Sequence, residues 1–259
     1  MNLTEEYLNK CQSIIDRIRD QQNQIQTAAG WFAGSILSGR VVHVFGSGHS
    51  RIMVEEMWPR YGSFPGFNPI VELSLTNHNN VVGANGQRQA MFLENVPGFA
   101  ERILRNFGLS EKDCALIISS SGTNRVPVEM AELFQQKKIK VVALITKDHL
   151  EKSESKRPDG KKLTDFADLV LDSGAPTGDS MITINGLNTP VSPGSTVGGV
   201  IIINSIKAEL AKLLTEAGQP PKVLTAANVI GAAPAAALFE AAYDEHAHRL
   251  AELYKNAGL

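Results

Sequence analysis

The sequence predicts an α/β protein: a three-layer αβα sandwich on a mainly parallel five-stranded sheet, with helical extensions at both ends. Three observations carry this. Five short, β-branched and largely apolar segments, at 41–45, 70–73, 115–118, 141–145 and 169–171, lack polar alternation, so each is expected to be covered on both faces. Helix-like stretches at 51–58, 89–107 and 126–137 separate them, the alternation that right-handed crossovers between parallel strands produce. The 259 residues are 43% hydrophobic and 20% charged, which supplies a sizeable core.

In chain order, Leu8, Cys11, Ile15 and Ile18 step by three and four. With Thr4 as N-cap and Glu5 and Glu6 in the first turn, they predict a long opening helix, or two, over 3–38. The α/β core follows from about 40 to 218. Within it, 147–162 interleaves basic and acidic residues around Pro158-Asp159-Gly160 and reads as an exposed loop. Met181, Ile182 and Ile184 before the turn pair Asn185-Gly186 predict a small β-hairpin over 180–191. Helices over 196–217 and about 233–256 close the chain on either side of Gly218-Gln219-Pro220-Pro221. No repeat or long linker divides the sequence, so residues 1–259 are expected to form one domain.

Composition excludes several function classes. With 25 Lys and Arg against 27 Asp and Glu the net charge is -2, so no basic field exists to hold a nucleic-acid backbone. The apolar runs fall far short of the ~20 residues of a membrane-spanning helix, and the amino terminus lacks a signal-peptide pattern. A cytoplasmic protein is expected, with neither nucleic acid nor membrane as partner. Cys11 and Cys114 form no disulfide framework or zinc-knuckle spacing and suit small buried positions.

In an open parallel sheet, ligands bind beyond the carboxyl ends of the strands. Two loops stand out there. Gly46-Ser47-Gly48-His49-Ser50 allows close backbone approach and leads into a helix with free N–H groups. Ser119-Ser120-Ser121-Gly122-Thr123-Asn124 offers hydroxyl after hydroxyl beside a helix start that Pro127 fits. One such turn is also what a plain helix cap looks like; two in one sheet point to an oxyanion site. The candidate binding residues are Ser47, Gly48, Ser50, Ser119, Ser120, Ser121 and Asn124. A dinucleotide fingerprint fails at Arg51, where its third glycine belongs, and Glu72 is poorly placed for the ribose; no Walker loop occurs.

The G-x-G-x-S form of Gly46, Gly48 and Ser50, the S-x-S-G form of Ser119, Ser121 and Gly122, and Ser192-Pro193-Gly194-Ser195-Thr196 opening a late helix together resemble the SIS (sugar isomerase) fold family. The resemblance spans about residues 30–218 and includes phosphoheptose isomerases and N-acetylmuramic acid 6-phosphate etherases. It implies that Ser119, Ser121 and Asn124 hold a substrate phosphate, while Ser47, Ser50 and Ser195 contact the sugar. Asn124 departs from the usual Ser or Thr but still donates a hydrogen bond. Glu56-Met57-Trp58-Pro59-Arg60-Tyr61-Gly62 and Phe92-Leu93-Glu94-Asn95 are similar to etherase segments that each carry a catalytic glutamate, which matches Glu56 and Glu94. Moving a proton at a carbon beside a carbonyl needs a carboxylate base and a second group that protonates oxygen. The plain alternative for either Glu is a solvated helix residue.

His49, inside the first loop, is the candidate for opening a sugar ring. His43, inside an apolar strand, reads as a hydrogen-bonded core histidine, and His78 lies in a polar loop with no motif behind it. No H-x-x-x-H or H-x-x-E-H spacing exists, so no cofactor is expected, although resemblance to phosphoheptose isomerases, some of which bind zinc, leaves open a scattered set from His49, Glu56 and a second histidine. The expected activity is sugar-phosphate isomerisation through an enediol. A lyase of the etherase kind is the alternative within enzymes, and a phosphosugar sensor without turnover the alternative outside them. Hydroxyl and amide donors bind any tetrahedral oxyanion, a sulfonate included. SIS enzymes form dimers or tetramers, and several complete a site with a carboxyl-terminal histidine. This implies a two-fold homo-oligomer in which His246, on an apolar face with Phe239, Tyr243, Leu250 and Leu253, approaches the 46–50 loop, whereas His248 does not.

Overall fold

In a computed structural model, which describes residues 2–76, 87–255 and 257, two helices open the chain, α1 (Leu3–Arg19) and α2 (Gln22–Leu37). The cap of α1 is Asn2, whose side chain accepts from Glu5 N, two residues earlier than the Thr4 the sequence suggested. The core then alternates: β1 (Val42–Gly46), α3 (Arg51–Met57), β2 (Phe67–Ile70), α4 (Leu73–Thr76), α5 (Gln87–Leu93), α6 (Phe99–Leu104), β3 (Cys114–Ile118), α7 (Arg125–Gln136), β4 (Lys140–Ile145), α8 (Lys147–Lys152) and β5 (Leu169–Asp172). The long α9 (Ser195–Glu216), the short α10 (Ala227–Ile230) and α11 (Ala232–Tyr254) follow.

Every strand pair of the sheet is parallel, in the order β2-β1-β3-β4-β5. Because successive strand residues face opposite sides, the sheet has two cores. Val42, Val44, Leu116 and Ile118 pack with Ile14, Ile18, Phe32, Ile202 and Ile206, so α1, α2 and α9 form one helical layer and the amino-terminal helices belong to it. Phe45, Ala115, Ile117 and Val141 pack with Leu104, Val128 and Phe134 on the other side, under α6 and α7.

Four sequence expectations are corrected. β2 lies three residues upstream of the 70–73 segment, because it runs through Pro69 at the sheet edge, where a missing N–H is tolerated. Glu72 consequently leaves the strand, and its side chain accepts from Ser74 N and Oγ at the start of α4. The single helix expected over 89–107 is two, interrupted at Pro97-Gly98, where Gly98 takes φ 76. The segment 147–162 begins as α8, whose Leu150 packs over the second glycine-rich loop; only the remainder is loop, knotted by Arg157 donating to Glu132 and Asp159. The hairpin reduces to one antiparallel bridge, Ile182 to Val191.

His43 is a core histidine. Its Nδ1 lies 3.0 Å from Asn68 Nδ2 and its Nε2 lies 3.2 Å from Asp113 Oδ2, while Arg40 donates to both Asp113 oxygens. Asp113 is wholly buried. Burial by itself would raise its carboxyl, but the bonds from His43 and Arg40 hold it below the usual carboxylate range. Burial pushes the Cys114 thiol up to about 11, against any nucleophilic role.

Candidate active site at the carboxyl end of the sheet

Glycine geometry shapes both loops. A Cβ on Gly46 would stand 2.6 Å from Ser50 O, so only glycine lets β1 turn straight into the short helical turn Gly48–Ser50. Gly122 has φ +61, and a Cβ there would meet Leu150 Cδ1 at 2.6 Å. The two loops face one another across a cavity of about 230 Å³. This is below the roughly 300 Å³ at which drug-sized ligand sites begin and suits a small polar metabolite.

The cavity brings together Ser47, Gly48, His49, Ser50, Glu94, Ser119, Ser120, Ser121, Asn124 and Ser195 from the sequence candidates. Glu94 is the lining carboxylate that joins the two loops. Ser47 Oγ donates to Glu94 Oε2 over 2.6 Å and Asn124 Nδ2 donates to Oε1 over 2.7 Å, so one carboxylate ties the β1 loop to the β3 loop. Its backbone is anchored as well, since Val126 N donates to Glu94 O and Arg125 N to Asn95 Oδ1. These two bonds take first-turn N–H groups of α7 that the sequence reading had left for an anion. Burial pushes the Glu94 carboxyl above its ordinary value, and the Ser47 bond offsets this only in part.

The oxyanion cradle is the 119–124 turn itself. Ser119 Oγ accepts from Gly122 N, and Ser121 Oγ accepts from Thr123 N and Oγ1. Both are acceptors in these bonds, which leaves their own protons to donate to a ligand. Among the described residues neither Lys nor Arg lines the cavity, so an anion there meets hydroxyls, N–H groups and two imidazoles, with the Glu94 and Asp179 carboxylates also in the lining.

Ser195 has a different partner from the one expected. Its Oγ and N donate to Asp179, which also accepts from Gly194 N, so Asp179 caps α9 at the edge of the cavity. Glu56 does not line the cavity. Asn204 and Arg60 donate to its carboxylate and Lys207 Nζ lies 3.8 Å away; burial would raise this carboxyl, but those partners hold it below its ordinary value. His246 of this chain is also absent from the lining; its ring instead lies tilted against Trp58 at 5.4 Å and edge-on to Tyr243 at 6.5 Å. His78 lies outside the described residues. His49 and Glu56 therefore do not line one cavity in this chain, and among the described residues no three His, Cys, Asp or Glu side chains are placed to hold a metal.

Sequence reasoning missed His149, Asp179, Gln87 and Met91, all of which line the cavity, as does Thr196 of the late motif. His149 was legible in principle, because it follows β4 at the same end of the sheet as the other loops, but its charged flanks read as solvent-exposed. Asp179 carried no local signal, since its partner Ser195 is 16 residues on.

A parallel α/β sheet with a hydroxyl-rich turn and a buried carboxylate at the carboxyl ends of its central strands defines a doubly wound α/β protein with a candidate ligand site there. The chain belongs to the SIS domain family, which its residues 6–146 match. It is similar to a UPF0309 protein of Thermoanaerobacter pseudethanolicus, 32% identical over 255 residues and 96% of each chain. A UPF0309 protein of Halalkalibacterium halodurans is 32% identical over 236 residues, 89% of this chain and 94% of that one. Among solved structures, a phosphoheptose isomerase from Francisella tularensis aligns with TM-score 0.49 at 15% identity, over 81% of this chain and 96% of that one. The Vibrio vulnificus NanR protein complexed with ManNAc-6P aligns with TM-score 0.45 at 16% identity, over 80% and 62%. Among the described residues no helix is long and apolar enough to cross a membrane.

Proposed function

We propose that this protein binds a phosphorylated sugar and isomerises it between aldose and ketose forms, with Glu94 as the base that moves a proton between adjacent carbons through an enediol. The observation that carries the reading is the Glu94 carboxylate, fixed on both oxygens by the two ligand loops and pushed above its ordinary pKa by burial, beside a cradle of hydroxyl donors. A carboxylate held this way is preorganised, so little reorganisation accompanies proton transfer. The cradle of Ser119, Ser120 and Ser121 receives the oxyanion, which sets the sugar carbons over Glu94. An elimination of the etherase kind would start with the same proton abstraction, so product analysis separates the two.

The test is incubation with a panel of sugar phosphates, and one sugar sulfonate, in deuterated water. Incorporation of deuterium beside the carbonyl together with the aldose–ketose partner is the expected result. Saturable binding without exchange on any ligand would make the protein a sensor and overturn the reading.

We also propose that the chain works as a homo-oligomer. Val229 and Phe239 are 73% and 41% exposed, and the stretch 226–239 around them carries no charge. An uncharged, exposed apolar face of this kind is what a symmetric interface covers.

A further inference from the structure

We infer that His149 is the second proton carrier of this site, acting on the substrate's oxygens while Glu94 acts on its carbons; the inference rests on the isomerase reading above. His149 stands in the first turn of α8, directly after β4, and lines the same cavity as Glu94 and the serine cradle. Its place is fixed through the backbone: His149 N donates to Thr146 O, Ser153 Oγ donates to His149 O, and Thr146 N donates in turn to Ser120 O of the cradle loop. The imidazole Nδ1 is buried and has no hydrogen-bond partner among the described residues. Buried polar atoms are otherwise almost always paired, and an unpaired one in a side chain that lines a cavity is a candidate for catalytic use.

The other candidates are already committed or badly placed. Asp179 spends its carboxylate on the start of α9, Glu56 is ion-paired outside the cavity, and His49 stands exposed at the rim. Serine hydroxyls are too weakly acidic to protonate an enediolate near neutrality. His149 is the part-buried imidazole within the cradle's own scaffold.

The step balances with these two groups alone. Glu94 takes the proton from the carbon beside the carbonyl; the C–H pair becomes the new C=C bond, and the carbonyl π pair moves to oxygen, which takes a proton from the His149 ring. In the second half His149 recovers a proton from the neighbouring hydroxyl as that oxygen becomes the new carbonyl. The C=C pair then takes back the proton from Glu94 at the other carbon. Both side chains end as they began.

The experiment compares the unsubstituted protein with His149→Gln and His149→Ala, each checked for an unchanged thermal midpoint. The readouts are isomer formation and binding of the sugar phosphate that the unsubstituted protein turns over. His149→Gln is expected to lose ~100 to 10,000-fold in turnover, the range of general acid–base catalysis, with binding within a few fold. His149→Ala is expected to regain activity when free imidazole is added, which a merely structural role would not allow. Full activity in His149→Gln, or loss in His149→Ala without imidazole rescue, overturns the assignment while leaving the isomerase intact. Absence of exchange by the unsubstituted protein on every ligand overturns the isomerase reading itself, and that is read before any variant is made.

Discussion

Asn124 and Glu94 are joined by a 2.7 Å hydrogen bond in which the amide donates to the carboxylate, 30 residues apart in sequence and on facing sides of the site. At the position where the SIS pattern resembled in the sequence has Ser or Thr, this chain thus has a residue that reaches the base. Asn124→Asp would set two carboxylates in hydrogen-bond contact, a like-charge pair that drives one of them to stay protonated. Turnover of Asn124→Asp at neutral pH is expected to fall by ~100-fold or more, with recovery as pH rises, whereas Asn124→Ser should retain most activity. Equal pH–rate profiles for Asn124→Asp and the unsubstituted protein would count against Glu94 as base.

Glu94→Gln has two expected effects of opposite sign. Gln cannot accept the proton, so turnover should fall ~100 to 10,000-fold with ligand binding largely retained. Stability should move the other way. A carboxyl whose folded pKa is raised favours the folded state below its unfolded pKa and loses that contribution as pH rises through the folded one. Glu94 therefore weighs against folding at pH 7 to 8, and Gln, which can still accept from Asn124 and donate to Ser47, should raise the thermal midpoint there and not at pH 4. Thermal melts at the two pH values check this.

Removal of the Ser121 hydroxyl takes away a donor to the bound oxyanion. Ser121→Ala is expected to weaken sugar-phosphate binding by about 1.5 to 3 kcal/mol, the range for hydrogen bonds to charged groups. Calorimetric titration measures it, and unchanged affinity would remove Ser121 from the cradle.

At the opposite end of β1, Asp113 joins Arg40 and His43 without touching the cavity. Asp113→Ala leaves a guanidinium and a buried imidazole without their partner and should cost about 3 to 5 kcal/mol in denaturant unfolding. The native contribution of Asp113, whose folded pKa is lowered, is present above the unfolded carboxyl pKa and is lost as pH falls through the folded one, so this penalty should shrink in acid.

The α10–α11 face gives a prediction about assembly. Phe239→Glu places a charge on the exposed apolar stretch and should shift the sedimentation coefficient from oligomer to monomer at micromolar concentration. A monomeric unsubstituted protein would overturn the interface.

The glycine- and serine-rich loops, the parallel sheet and the core role of His43 were legible in the sequence, because each is written in residues a few positions apart. Apolar runs specify strands, a glycine at a tight turn specifies close approach, and hydroxyls in a row specify donors. Even the misplaced β2 has a local cause, an edge strand through Pro69 that breaks the apolar pattern. Tertiary packing alone decided which side chains face one another. It turned Glu56 toward Lys207 and Arg60, set the Ser195 hydroxyl on Asp179, and brought Ser47, Glu94 and Asn124 from three segments into one bonded group. A side chain's partner across a parallel sheet depends on strand order and helix docking. These are set by the sum of many buried apolar contacts spread over the whole chain, and no short window of sequence contains them.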